Sequence, residues 1–388
     1  MNSNLQYCDI AIIGGGPVGT ALAVALRDSG LKIVLLEARK AEQLNADPRA
    51  LALSYGSRLL LDKLQVWNQI PQVSAIKTIH VSQKNTSGYT LLHASEMKVP
   101  ALGYVLPYPA LQAALHQAVS QTSATYLECA TVNRLEKSAE GATLTYQHAG
   151  NEFTLHARLA VVADGGKLLE ATHPPKVREY DQSAVIAHIT CANPQPNTAF
   201  ERFTAQGPVA LLPYRDGYEI VWTGSPEQAQ EMLQWDDAKF LTELQQHFGD
   251  AVGNLLTVGK RSSFPLRLKR APATTLAHTV LIGNAAQTLH PVAGQGFNMG
   301  VRDAWELARI ILRAQPAALG SAAMLADYHK ARCVDRNAGI SFTDGLVRIF
   351  SNDLPVLNQG RGWALSLLDR LPLAKQFVAK RMMFGANG

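Results

Sequence analysis

Three glycines and one acid carry the clearest chemistry in the chain. Gly14, Gly16 and Gly19 form a G-x-G-x-x-G turn, and Glu37 follows 23 residues after Gly14. A turn of this kind lets the backbone approach a pyrophosphate, and the N-terminus of the helix it opens faces the phosphates with free N–H groups. The acid can accept both hydroxyls of an adenosine ribose and would repel a 2′-phosphate, which points to FAD or NAD and not NADP. Spacing alone does not separate FAD from NAD. The elements that must hold these residues are also legible. Residues 8–13 are a short apolar run with β-branched members, the mark of a buried strand. An alanine-rich helix is expected from Pro17 to Asp28, closed by Ser29-Gly30, and a second strand from Leu31 to Leu36.

Two further stretches end an apolar run in a glycine turn. Residues 159–165 finish in Ala163-Asp164-Gly165, and 279–286 contain Gly283-Asn284. The second leads into Pro291, Gly294, Gln295 and Gly296, then into a helix expected from about Asn298 to Ala314. Glycines in that loop let backbone amides reach a ligand, and the helix N-terminus would favour negative charge there. Asn284 can hydrogen-bond a ribityl hydroxyl. His290 precedes a proline and reads as a turn cap. Strand ends so far apart in sequence suggest one nucleotide-binding domain assembled from distant pieces.

These motifs carry a family resemblance. Residues 14–37, 163–165 and 283–303 resemble the FAD-dependent aromatic hydroxylases of the para-hydroxybenzoate hydroxylase type. Residues 47–54, 199–204 and 290–298, with Gly207-Pro208 and Leu212-Pro213, are similar to the ubiquinone-biosynthesis members of that group. The resemblance implies a mixed α/β fold: a discontinuous Rossmann-like FAD-binding domain (1–75, 100–180 and 269–340), an inserted β-sheet substrate domain (76–99 and 181–268) and C-terminal helices (341–388). It implies FAD as cofactor, NAD(P)H as co-substrate docking without a Rossmann unit of its own, and O2 activated as a flavin C4a-hydroperoxide. The implied substrate is a polyprenylated phenol such as 2-octaprenyl-6-methoxyphenol.

Site roles follow from the same comparison. Gly14, Gly16, Gly19 and Glu37 would bind the ADP half, and Arg49 would bring a fixed positive charge to the phosphate or ribityl region. Asp164 and Asn284 would contact the pyrophosphate-ribityl stretch, and Pro291, Gly294, Gln295 and Gly296 the isoalloxazine edge. Asn298 and Asp303 would order the loop and helix. Strand-like runs at 78–82, 183–190 and 219–222 belong to the covering sheet, with Phe200, Phe203, Trp222 and Phe264 as candidate substrate walls. No side chain need be a nucleophile, because the flavin carries the difficult chemistry. Two departures stand out. The group usually has Gly-Asp where this chain has Gly283-Asn284, and D-G-x-x-S-x-x-R where it has Asp164-Gly165-Gly166-Lys167-Leu168-Leu169-Glu170. Other readings are an FAD monooxygenase of small aromatics and a flavin-fold scaffold subunit of a ubiquinone-biosynthesis complex. A halogenase is disfavoured, because the five tryptophans form no W-x-W-x-I-P motif.

Composition narrows the remaining classes. At 388 residues and 17% charged, the chain is ordinary globular protein. Four scattered cysteines without a C-x-x-C argue against a disulfide framework or metal site and suggest a reducing cytoplasm. The net charge is +5, and residues 361–388 hold +4 of it through Arg361, Arg370, Lys375, Lys380 and Arg381 against Asp369. No broad basic surface remains for nucleic acid. Trp363, Leu367, Leu368, Leu371, Leu373, Phe377, Val378 and Met382 recur at helical spacing around Pro372. Two short amphipathic helices are therefore expected. They would meet the inner face of a membrane, a partner protein, or the protein's own core.

Overall fold

The computed structural model describes residues 7–44, 47, 49–138, 140–350 and 355–387. Pro48, within the 47–54 stretch noted above, lies outside the described residues, as do 351–354 and Gly388 of the C-terminal segment.

The first strand, β1 (Tyr7–Ile13), has no accessible surface at Ile10, Ala11 or Ile12. Such burial on both faces is what a continuous apolar run requires in a parallel sheet. β1 pairs in parallel with β2 (Ile33–Leu36) on one side and with the strand Asn151–Val162 on the other. Asn151–Val162 pairs in parallel with Thr279–Leu281, and β2 with Thr125–Leu127. The three glycine turns thus leave the same edge of one sheet, side by side. Helix α1 (Pro17–Ala25) buries Leu22, Ala23 and Val24 completely against this sheet. It stops three residues before the expected Asp28, and β2 starts two residues after the expected Leu31.

A second sheet of nine strands runs in the order Gln287–Thr288, Ser262–Arg270, Lys176–Ala192, Gly217–Gly224, Gly207–Tyr214, Thr198–Thr204, Thr78–Gln83, Tyr89–His93, with Asn254–Val258 on the side of Lys176–Ala192. Two helices, Pro226–Gln234 and Asp237–Phe248, cover one face. Ser225 starts the first with a reciprocal capping box to Gln228, and Asp236 caps the second through the Lys239 N–H. Beneath them Phe240, Leu244 and Tyr218 are fully enclosed. The other face of the sheet looks toward the glycine turns.

The C-terminal helices are Pro355–Arg370 and Pro372–Phe384, broken at Pro372 as expected. They dock on the protein. Asp369 accepts from the Leu91 N–H at 2.9 Å, and Lys375 pairs with Glu96 at 2.9 Å. Arg361 and Lys375 are buried, so two of the five basic residues face inward. A different stripe faces outward: Trp363 (80% exposed), Leu367, Leu371, Leu373 (83%) and Phe377. The tail therefore packs on the core and still presents an apolar surface. Among the described residues, no helix is long and apolar enough to cross a membrane.

Candidate functional site: a cavity between the glycine turns and the second sheet

The glycine turns and the second sheet enclose one cavity of about 1260 Å³. Single small-molecule sites span about 300–1,000 Å³, so this one has room for a dinucleotide and a second molecule.

Its nucleotide end is built by the first turn. Gly14 has φ +109°, and a Cβ there would lie 2.6 Å from the Ala163 carbonyl oxygen. A Cβ on Gly19 would lie 2.1 Å from the Gly14 carbonyl oxygen. Both glycines are demanded by the protein's own backbone. Gly16 differs. Its backbone is extended (φ −68°, ψ 176°), and a Cβ would meet only the Tyr108 hydroxyl, 3.9 Å away. Nothing in the protein requires glycine there, so a ligand that needs the space explains it. Glu37 is buried at the end of β2, where one carboxylate oxygen accepts from the Gly15 N–H at 2.7 Å and the other from Arg39. The turn is braced from outside by Gln112, whose amide donates to the Gly15 carbonyl at 2.7 Å.

Asp164 lines the cavity, but both its oxygens accept backbone N–H groups of its own loop, from Gly166 at 2.7 Å and Leu168 at 2.8 Å. Its direct task is to shape the turn in which this chain departs from the family pattern. Asn284 is exposed and lines the cavity. Arg49 lines it too, yet its guanidinium grips Asp47 at 2.8 Å and lies over the Tyr108 and Phe264 rings. The Asp47 hydrogen bond raises the Arg49 pKa, so the charge is fixed at the cavity mouth.

Pro291, Gly294, Gln295 and Gly296, the loop expected to hold the flavin, line the same cavity. The helix begins at Gln295, three residues earlier than expected, because Gly294 enters it in a left-handed conformation (φ +61°). A Cβ on Gly296 would meet nothing within 4 Å, so the helix start is open to the cavity. Asn298 clamps the loop: its amide donates to the Ala52 and Gly294 carbonyls and its oxygen accepts from the Ser54 N–H at 2.8 Å. Gln295 donates to the Met382 carbonyl of the tail at 3.2 Å. Asp303 accepts from the Gly283 N–H at 3.1 Å, the Gln287 amide at 2.9 Å and Arg332 at 2.7 Å.

His290 is buried, accepts from the Val292 N–H at 3.1 Å, and meets the Tyr180 ring edge-on. Burial pushes its pKa down to about 4. Between about 4 and its ordinary 6.5 the folded chain binds fewer protons than the unfolded chain, so stability is lost as pH falls through that window. Replacing His290 with Gln should flatten the acid limb of a Tm-against-pH curve. An unchanged limb would show that another group sets it.

Of the four aromatic wall candidates, Phe200 and Phe264 line the cavity. Trp222 and Phe203 do not. Alternation along the Gly217–Gly224 strand points Trp222 under the covering helices, against Trp235 and Phe240. Phe203 stacks on Phe350 at 4.1 Å between ring centres and packs on Val292 of the flavin loop. The wall is made instead by small apolar side chains, Ala184, Ile186, Ala210, Leu212 and Val221, with Ala379, Met382 and Met383 of the tail. Sequence reasoning missed these, and it gave no role to Glu201, a carboxylic acid on the same wall.

A family model described as an FAD binding domain matches residues 7–337. The chain belongs to this FAD-binding family. Ubiquinone hydroxylase UbiL of Rhodospirillum rubrum is 32% identical, covering 97% of this chain and 90% of its own. The 3-demethoxyubiquinol 3-hydroxylase of Escherichia coli is 29% identical, covering 97% and 98%. The resemblance to ubiquinone-biosynthesis hydroxylases thus extends over nearly the whole chain, and this family member is a flavoprotein monooxygenase. Among solved structures, p-nitrophenol 4-monooxygenase PnpA of Pseudomonas putida DLL-E4 superposes with a TM-score of 0.80 at 14% identity, covering 98% of this chain and 99% of that one. At that identity the likeness shows a shared fold.

The residues present fit FAD. Gly16 leaves a cradle that the protein itself does not fill, Glu37 lines the cavity at the end of β2 beside it, and Asn284 and Gly296 are open to the same cavity.

Proposed function

We propose that the protein hydroxylates a polyprenylated phenol of the 2-octaprenyl-6-methoxyphenol type in ubiquinone biosynthesis, using NAD(P)H and O2. The observation that carries this reading is the continuity of the cavity, from the Gly16–Glu37 cradle to the apolar floor at Ala210 and Val221. Bound FAD would supply the redox chemistry, accepting hydride from NAD(P)H and activating O2. The chain's own residues hold the cofactor (Gly16, Glu37, Asn284, Gly296), set its loop (Asn298, Asp303) and exclude water with the apolar sheet. In the division we favour, the parallel sheet carries FAD and the nine-stranded sheet covers the substrate. A relation to UbiL and the Escherichia coli hydroxylase supports the substrate class. The test supplies FAD-loaded protein with NAD(P)H, ¹⁸O2 and a short-chain prenylated phenol. One ¹⁸O atom should enter the ring. A flavin-loaded protein inert to every phenol would favour the scaffold reading instead.

A prenylated substrate resides in a bilayer, and the outward stripe of the tail suits the surface of an anionic leaflet. Trp363, Leu373 and Phe377 supply apolar contact, and Arg370 and Lys380 supply positive charge beside it. Full deletion of 361–388 is a poor test, because it would also remove Ala379, Met382 and Met383 from the cavity wall. Serine at Trp363, Leu373 and Phe377 together should lower co-sedimentation with phosphatidylglycerol vesicles at least about tenfold, given roughly 1.5–3 kcal/mol per buried large side chain. Bound FAD should stay unchanged. Vesicle binding equal to the parent protein's would remove the membrane assignment.

A further inference from the structure

The cavity wall contributed by the second sheet is mostly apolar, and its charged members are Glu201, Glu219, Arg267 and Lys269. Across the strands, Glu201 registers with Ala210, Ala210 with Val221, and Val221 with Ile186. All four line the cavity. Glu201 is thus the polar member of an otherwise hydrocarbon row. Two residues along its strand, on the same face, Phe203 packs on Val292 of the flavin loop. That spacing is about 7 Å of strand rise, so the carboxyl stands near the loop that holds Val292.

No described residue answers the Glu201 charge. Neither a hydrogen bond nor an ion pair reaches it among the described residues. Val81, its register partner on the Thr78–Gln83 strand, is apolar. The neighbouring Arg202 points to the other face, where it donates to Ser82 and to the His247 carbonyl. His80 packs on that same side with Phe200. Glu219, the other acid lining the cavity, is held by His188 at 3.1 Å. Beyond Phe203, Tyr180 and Arg178 are both bonded to Asp344. An unpaired carboxyl in such a wall costs stability that a leucine would not.

We propose that Glu201 is a catalytic residue: its carboxylate takes the hydroxyl proton of the phenol, so that the ring reacts as a phenolate. The proposal rests on the phenol-hydroxylase reading above. In this step the substrate O–H bond breaks and an O–H bond forms on Glu201. The electron pair stays on the phenol oxygen and raises electron density at the ortho and para carbons. No electrons are gained or lost, and the carboxyl returns its proton to water before the next turnover. Desolvation pushes the Glu201 carboxyl up to about 7, with no neighbouring charge contributing. A carboxylate of that basicity is a better proton acceptor than an ordinary one and is about half ionised at neutral pH.

The direction with pH follows. The acid form cannot accept a proton, so kcat should be lost as pH falls through about 7. In Glu201→Gln the rising limb should vanish and kcat at pH 8 should fall about 100-fold. KM and bound FAD should change little. The deficit should shrink with ring-fluorinated phenols, whose hydroxyl ionises without help, a dependence that a merely structural role would not produce. Glu201→Asp keeps a base and should keep the limb. If the glutamine variant matches the parent in rate and pH profile, or if its deficit is equal for every phenol, the assignment is wrong. If the parent protein itself oxidises no phenol, the functional reading fails first.

Discussion

Gly16→Val gives a folded protein that takes up no FAD. The native backbone at Gly16 is extended, a conformation valine adopts readily, and the space its side chain would enter holds no protein atom closer than the Tyr108 hydroxyl. The fold therefore tolerates the change. A pyrophosphate does not, because the branched side chain occupies the path by which its oxygens reach the turn. Thermal unfolding should stay close to that of the parent apoprotein, while reconstitution should leave no flavin absorbance after desalting. Gly14→Ala and Gly19→Ala are the controls. Each added methyl would strike a carbonyl oxygen, at 2.6 Å and 2.1 Å, so these variants should unfold at lower temperature with or without cofactor. Retained flavin in the valine variant would refute the cradle.

Arg332→Ala should cost about 3–5 kcal/mol of stability, the usual result of stripping one partner from a buried ion pair. Arg332 is buried and lies between two buried carboxylates, donating to Asp303 at 2.7 Å and pairing with Asp335 at 2.8 Å. Asp335 also takes Arg302 at 2.8 Å and the Ala386 N–H at 2.7 Å. Asp303 at the same time accepts from Gly283, at the third glycine turn. The network thus ties the Ala322–Phe350 helix, the Gln295–Arg313 helix, the end of the tail and the third glycine turn together. Removing the arginine leaves two facing carboxylates in low dielectric, so urea midpoints should fall and FAD should dissociate faster. Arg332→Met keeps much of the volume and should behave like alanine, because the loss is charge and not packing. A methionine variant as stable as the parent would contradict that account.

The cofactor end of the site was legible in the sequence because its geometry is local. A strand, a glycine turn, a helix and an acid fall within about 30 residues, and each constrains the next. Gly283 and Asn298 were legible by resemblance. The substrate end was not. Phe203 and Trp222 are large and aromatic, yet strand parity turns Trp222 under the covering helices, and Phe350 takes up Phe203, a contact with a helix far off in the chain. Glu201 could have been found by the reverse argument, as an acid flanked by Ala199 and Phe203 on one strand face. The tail was half legible. Its helices and their break followed from spacing and Pro372, but burial of Lys375 required its partner Glu96, which lies 279 positions earlier.

β1 lies in the interior of its sheet, and that placement governs the order of events during synthesis. It leaves the ribosome well before one of its two neighbours, residues 151–162, and that neighbour in turn awaits 279–281. At roughly 5–20 residues per second, the interval before the sheet can close is on the order of tens of seconds. Through that time an apolar strand has an unpaired edge, and the cradle behind it lacks Asn284 and Gly296. Cofactor capture must then wait until the chain past Gly296 has emerged, and the nascent chain is a natural client for a chaperone. The helix Pro372–Phe384 supplies Met382 and Met383 to a wall begun by Gly14, so a chain that stops short of that helix cannot close its own cavity.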